Sequence, residues 1–382
     1  MDFSFTEEQS QIRELSRQIF AENCGDDFQM AYRKRQRADA NLRYSRELWQ
    51  MLAESGLLGT AISEQHGGSG FGLIELCQIL EEQGRFLAPI PLLPSLVYGG
   101  LALSRYGSPN QQAKYLPQLA TGSVILSAAV AEESMATALR ASCTAEEKAG
   151  KWLLNGLRVA VPYAQEASAL LIAASTSRGK AIFLVEPQTG MSCEFTNSGN
   201  HEPLYSVTFK NAQAELLGSQ DQGQEILDFI LQNGAIACCA TMIGIIEEAT
   251  RRTASYTSER KQFETTIANF QNTTMKMADC YIDIESLRSA YYEALWKLSA
   301  SIPCAAEVKV AKFWACSAGH RVAHTCQHLH GGIGADVEYP LHRYYLWFKQ
   351  MDLTLGGGTK QLADLGDAMA RDKHINLISQ LA

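Results

Sequence analysis

The chain has 382 residues, with 33 Lys plus Arg against 41 Asp plus Glu, and its formal net charge of −8 argues against a nucleic-acid binder. At 46% apolar and 19% charged the composition is ordinary for a globular protein, with length for two or three domains or one large one and material for a sizeable core. Residues Met1 to Glu8 show no basic region running into an apolar one, and no stretch approaches about 18 uninterrupted apolar residues, so neither secretion nor a membrane span is expected. Ten cysteines without a C-x-x-C pair or regular spacing read as reduced, buried thiols, which makes a reducing cytoplasm the expected location.

In chain order, Thr6-x-x-Gln9 is a capping box, and Ile12, Leu15 and Ile19 at helical spacing predict an opening amphipathic helix. Helical periodicity recurs from Leu48 to Leu58 and from Leu73 to Phe86, on either side of the glycine-rich loop Gln65-His66-Gly67-Gly68-Ser69-Gly70. Residues 1–122 are read as an α-helical domain. The texture then changes. Trp152 to Val159 reads as two short strands about an Asn155-Gly156 turn, and residues 169–173, 181–185 and 205–209 add three more strands between polar punctuation, giving a β domain over 123–218. From Gln222 the pattern is long helices. One carries Met277, Tyr281, Ile284, Leu287, Tyr291, Leu295 and Leu298 on a single stripe. Another, near 235–258, has Ile236, Ala240, Ile243, Gly244, Ile245 and Ile246 with little polar face, and is expected inside a bundle or at a subunit contact. Residues 219–382 form this third, helical domain.

Few motifs carry chemistry on their own. His324-x-Cys326-x-His328-x-His330 is the most metal-like cluster, but residues two apart on a helix point about 200° apart, so only His324 and His328 could converge, and Gly331-Gly332 ends the helix. Gly331-Gly332-Ile333-Gly334 and Gly356-Gly357-Gly358-Thr359 could offer backbone N–H groups to a phosphate, yet neither is a dinucleotide or Walker pattern. No G-x-S-x-G, H-E-x-x-H or EF-hand loop is present, which removes the usual hydrolase and metal signals. Glu259-Arg260-Lys261-Gln262-Phe263 reads either as a solvated helix end or as an arginine placed to clamp a phosphate.

Several strings in order resemble the acyl-CoA dehydrogenase family of flavoproteins, over the whole chain. Ile62 to Gly70 is similar to its P-E-E-Y-G-G-x-G loop, Leu154-Asn155-Gly156 to its I-N-G, and Tyr256 to Phe263 with Phe270-Gln271 and Ala278-Asp279 to its Y-x-x-x-R-x-Q-F, F-Q and A-D series. His330-Gly331-Gly332-Ile333-Gly334, Glu338-Tyr339-Pro340 and Arg343-Tyr344 resemble its H-G-G-x-G and E-Y-P segment. The resemblance implies an α+β fold: an N-terminal helical domain, a middle β-barrel or sandwich, and a C-terminal four-helix bundle. It also implies FAD, a tetrameric assembly and α,β-dehydrogenation of an acyl-CoA thioester. That chemistry needs a desolvated carboxylate of raised pKa to take the α-proton, because water is too weak a base for it.

The resemblance breaks at the catalytic groups. The family's Y-E-G-T string falls on Gly356 to Thr359, which puts Gly357 where the base should stand, and sliding the register puts Leu355 there. The alternative base position of some members falls on Gly234. The strings that hold the flavin ring read Ala131-Glu132-Glu133-Ser134-Met135-Ala136 and Ala160-Val161-Pro162, without the indole and hydroxyl, and proline lacks even the backbone donor. By contrast the half-site that members lend to a neighbour's FAD is kept. Arg260 matches the pyrophosphate ligand, Gln262 and Phe263 flank it, and Gln271, Leu329 and Gly332 match the adenosine side, with His328 where the family usually has Gln. The asymmetry implies a non-catalytic subunit paired, two copies of each, with a homologous catalytic one that binds most of the acyl-CoA. Such heteromers are a bacterial branch associated with steroid side-chain CoA thioesters, and electrons would pass to an electron-transfer flavoprotein or similar acceptor. Two alternatives stay open: a homo-oligomer with a displaced base, for which Asp352, Glu225 and Asp228 are the nearest acids, and a cofactor-free homologue that binds acyl-CoA or a protein.

Overall fold

The computed structural model describes residues 5–39, 42–130 and 143–371. The N-terminal helices are α1 (Glu7–Asn23), α2 (Asp26–Ala38), α3 (Arg46–Glu54), α4 (Leu73–Phe86), a π-helical stretch Leu93–Leu101 running into α5 (Ala102–Tyr106), and α6 (Pro109–Ala120). The capping box forms: Gln9 N donates to Thr6 Oγ1 at 3.3 Å and Thr6 N to Gln9 Oε1 at 3.0 Å. The face α1 buries is centred on Ser16 and Phe20, with Ile12 and Ile19 beside it, while Leu15 sits at the rim and stays 39% exposed, contrary to the sequence stripe.

Seven strands follow: β1 (Leu126–Ala129), β2 (Cys143–Lys148), β3 (Lys151–Pro162), β4 (Ala169–Thr176), β5 (Gly179–Val185), β6 (Met191–Asn197) and β7 (Pro203–Leu216). Their order is β1-β4-β2-β3-β7-β5, and β5 also pairs β4, so β4, β2, β3, β7 and β5 close on themselves as a barrel with β1 and β6 attached. The Asn155-Gly156 turn is not there. Both residues lie inside β3, where the register slips from Leu154/Ala212 to Gly156/Phe209. Asn155 Nδ2 donates to Asn211 Oδ1 at 3.1 Å, and Asn155 Oδ1 accepts from Asn211 N at 2.9 Å, across that bulge. The hairpin turn is Ala149-Gly150, both with positive φ (53° and 74°), between paired Lys148 and Lys151. A bulge and a type I′ turn ask for the same left-handed residues, so the dipeptide alone could not separate them.

The C-terminal bundle is α7 (Gly223–Glu259), α8 (Gln271–Ser299), α9 (Ala305–His330), α10 (Leu341–Leu353) and α11 (Gly358–Arg371). Helix α7 is long and apolar enough to cross a membrane by length and composition, yet most of that apolar stretch is buried against α4, α8 and α9. Gly84 and Gly244 let α4 and α7 touch backbone to backbone: a Cβ on Gly244 would lie 1.9 Å from Glu81 O, and one on Gly84 2.1 Å from Thr241 O. On α8, Ile284, Leu287, Tyr291 and Leu295 are buried as the stripe predicts, but Tyr281 is 66% exposed. Four helices meet at a knot of charge. Glu81 and Glu82 of α4, both buried, take Arg13 (2.9 Å) and Arg17 (3.0 Å) from α1 and Arg288 (3.0 Å) from α8, while Glu247 of α7 binds Arg288 at 2.8 Å and also Arg85.

Candidate cofactor site

A cavity of about 220 Å³ lies where β1 and β3 face the π-helical stretch, α4, α7 and α10. That is below the about 300–1,000 Å³ usual for a ligand of drug size. Its wall on β3 is a second register slip, between Arg158/Val207 and Val161/Tyr205, which turns Val159 and Ala160 toward the cavity, Ala160 at a φ of 52°. Ala160, which the sequence reading matches to the family's indole, offers only a methyl group, and the carbonyl of Pro162 is already taken by the Ser127 hydroxyl. Two of the polar groups around the cavity are turned to nearby backbone. Gln83 donates to Ala88 O (3.0 Å) and Ile90 O (2.8 Å), and the Thr241 hydroxyl to Ala237 O (3.2 Å). The string Ala131 to Ala136 lies outside the described residues.

The two empty base positions differ physically. A Cβ on Gly234 would lie 2.6 Å from Tyr98 Cε1 and 2.9 Å from Leu355 Cδ1, so that space is already filled. Gly357 is open, its nearest neighbours being Asp352 O and Oδ1 at 3.8 Å, but it does not line the cavity, whereas Leu355 does. None of the three candidate displaced acids lines it either. Asp352 lies near Lys349 (3.6 Å), Glu225 accepts from Tyr106 (3.0 Å), and Asp228 accepts from Gln224 (2.8 Å). The acid that sequence reasoning missed is Glu202, in the β6–β7 connection. Its carboxyl lines the cavity and accepts from Asn200 Nδ2 (2.7 Å) and the Tyr163 hydroxyl (3.3 Å). Burial pushes it above the ordinary carboxylate range, against the lowering effect of those two hydrogen bonds. Asn200-His201-Glu202-Pro203 reads in sequence as turn punctuation, and nothing local shows that Tyr163, just after β3, comes to bond its carboxyl.

The residues that the sequence reading assigns to a lending half-site are gathered at the other end. Arg260 caps α7, its N–H bonding to Tyr256 O at 2.9 Å, and its guanidinium is exposed without an ion pair to any described residue. Glu259, the acid that would tie it down, accepts instead from Ser255 at 3.1 Å. Strands β8 (Lys261–Gln262) and β9 (Thr265–Thr266) then form a hairpin whose tip, Phe263-Glu264, has φ of 52° and 65° and leaves Phe263 90% exposed. Ile267 N returns to Arg260 O at 2.9 Å, which brings Gln271, first residue of α8, to the same end. Tyr256 stacks on His330 with ring centroids 4.3 Å apart and so holds the end of α9 there, with His328 and Gly332 exposed and Leu329 half-buried. A Cβ on Gly332 would meet nothing within 4 Å. Phe270, Met275, Ile282, Ile333 and Val337 are also exposed. None of the seven lending residues lines the cavity, so one chain does not join the two halves into one site.

The histidine run resolves into separate pairings: Tyr345 OH lies 3.1 Å from His324 Nε2, and His330 meets Cys326 O (2.9 Å) and Tyr339 OH (3.1 Å). Among the described residues no group of His, Cys, Asp or Glu is placed to hold a metal ion.

A closed β barrel between two helical domains, with a cavity at its junction and an arginine hairpin at the bundle's far end, is the architecture of the flavin-dependent acyl-CoA dehydrogenases. The chain belongs to that family: the acyl-CoA dehydrogenase N-terminal domain matches residues 6–123 and the C-terminal domain residues 221–370. It is 34% identical to acyl-CoA dehydrogenase FadE27 of Mycobacterium tuberculosis, over 97% of this chain and 99% of that one. Among solved structures it resembles a variant of the Tcur3481-Tcur3483 steroid ACAD (37% identity, TM-score 0.88, 96% of this chain and 98% of that). It also resembles the ChsE4-ChsE5 complex of Mycobacterium tuberculosis (32%, TM-score 0.90, 97% and 100%). FAD is the family's cofactor, and the two ends fit it unequally. The hairpin end offers an open guanidinium and an uncovered glycine. The cavity end, as the described residues line it, is small for the ring.

Proposed function

We propose that this chain is the non-catalytic subunit of a heteromeric acyl-CoA dehydrogenase that introduces an α,β double bond into a CoA thioester. A steroid CoA thioester is the substrate class that the name of one neighbour, a steroid ACAD, points to. The observation that carries this reading is the filled space at Gly234: Tyr98 and Leu355 occupy it, and no carboxylate stands at either inherited base position. Arg260 holds the pyrophosphate of an FAD whose ring lies in a homologous catalytic subunit. Gln262 and Phe263 border it, and Gln271, His328, Leu329 and Gly332 wall the adenosine. FAD when bound supplies the hydride acceptor, the partner supplies the base, and an electron-transfer flavoprotein or similar protein reoxidises the complex in the cytoplasm.

The test is co-expression with homologues that keep the glutamate, followed by native mass and flavin absorbance. Two FAD per tetramer of two copies of each chain, with little or none on this chain alone, is the expected result. A yellow homotetramer with one FAD per chain sinks the reading.

Glu202 favours a second reading, a homo-oligomer in which this buried carboxyl serves as displaced base. Turnover by the chain alone that is abolished in Glu202→Gln would establish it in place of the first.

A further inference from the structure

Where the three domains meet, α2, the β6–β7 connection and α10 enclose a second, smaller cleft of about 20 Å³, lined among others by Tyr32, Arg33, Arg43, His201 and Arg343. Three donor atoms buried there reach no partner: Arg343 Nε, Arg343 Nη1 and the Tyr32 hydroxyl. Both residues are only 4% exposed. No described carboxylate pairs with Arg343. The nearest acid acting on it, Asp26, is bound to Arg252 at 2.8 Å, and the carboxyl of Glu202 at the cleft wall is taken by Asn200 and Tyr163.

The rest of the lining adds positive charge. Burial, then the guanidiniums of Arg343 and Arg37, lower Arg33 to about 10. Burial, with Arg33 and Arg37 beside it, lowers His201 to about 4, so its ring is neutral and accepts from Arg33. Arg43 lies over the Phe195 ring at 3.7 Å. A desolvated guanidinium with unsatisfied donors is among the costlier states a fold can hold, and water could answer the hydrogen bonds but not the crowding of like charge. In a chain of net charge −8 this concentration of cations is local, not a reflection of composition.

We propose that this cleft is an anion site that takes a phosphate group. The volume admits about one or two oxygen-sized atoms. One oxygen enters between Arg343 and Tyr32, and the others remain at the rim against Arg33 and Arg43. Several guanidiniums match a dianionic phosphate better than a singly charged carboxylate. Tyr163, Glu202 and Trp347 line both this cleft and the larger cavity, so the two are separated by a single layer of side chains. The proposal does not depend on whether the chain pairs with a partner.

The test is thermal unfolding of the full chain, alone and in any complex it forms, titrated with inorganic phosphate at ionic strength held constant with sodium chloride. A rise in Tm of at least about 2 °C is expected, reduced in Arg33→Gln and in Tyr32→Phe. Tyr32→Phe removes an unpartnered hydroxyl and leaves the packing in place, so loss of folding does not obscure the result. No rise, which would mean a cleft holding water only, overturns the proposal, as does an equal rise in chloride or a rise that both variants keep. Coenzyme A and its 3′-dephospho form are titrated alongside. A rise larger with coenzyme A than with phosphate, and lost with the dephospho form, identifies the 3′-phosphate of the coenzyme as the ligand, and equal rises identify free phosphate.

Discussion

At the cavity end of the molecule Gln83 and Thr241 are already engaged and the space at Gly234 is filled; at the hairpin end the cation, the aromatic and the glycine are all uncovered. Gln83 and Thr241 bond to nearby backbone, and Tyr98 and Leu355 press on Gly234, whereas Arg260, Phe263 and Gly332 face outward. A pocket that no longer receives a ligand gains stability by closing on its own donors, because unpaired buried groups are costly. A surface that still receives one keeps its donors free until the ligand or partner arrives. The difference between the ends is what the proposed division of labour between two subunits would leave behind.

The comparison can be broken first at the two empty base positions. Gly234→Glu is expected to cost several kcal/mol, about 3–5, since it forces a carboxylate between Tyr98 and Leu355. Gly357→Glu enters open space and is expected to change stability by no more than about 1 kcal/mol. Equal melting of the two variants would show the cavity end to be plastic. Next, Arg260→Ala in the mixed complex is expected to weaken FAD binding by roughly 1.5–3 kcal/mol, about 10- to 100-fold, with the melting of the isolated chain unchanged. Fluorescence titration of the apo complex checks it. Phe263→Ser is expected to cost about 1–2 kcal/mol of assembly, read by analytical ultracentrifugation, and less than about 0.5 kcal/mol of folding.

The smallest effect concerns Glu202. Burial raises its pKa, so the fold favours the protonated carboxyl. That contribution is fully present below the ordinary value of 4.5 and is lost as pH rises through the higher folded value. Glu202→Gln has no such dependence, so its Tm should gain on that of the natural chain as pH rises from 4.5. Parallel Tm curves would mean that Glu202 ionises freely.

Helices α1, α3, α4, α7 and α8 were legible because each carries a cap or an apolar period within its own residues. Asn155-Gly156 misled because one dipeptide suits two backbone features, and the partner that decides between them, Asn211, is distant in sequence. Tyr281 and Leu15 show another limit, since periodicity names an apolar face but not what covers it. Arg260 and its neighbours could be read from a contiguous motif. Glu202 and Tyr32 could not, and the motif that contains Arg343 did not show its burial, because each is enclosed only when elements from different domains close around it.

The knot of charge around Glu81 and Glu82 joins the first helix of the chain to α4, α7 and α8. Drawing α1 away would leave Glu81, Glu82 and Glu247 to share Arg85 and Arg288, a penalty larger than the fraying of an ordinary terminal helix. The opening residues therefore act as a keystone: the two helical domains are expected to melt as one cooperative unit, and a truncation before Arg17 to reach the centre of the bundle.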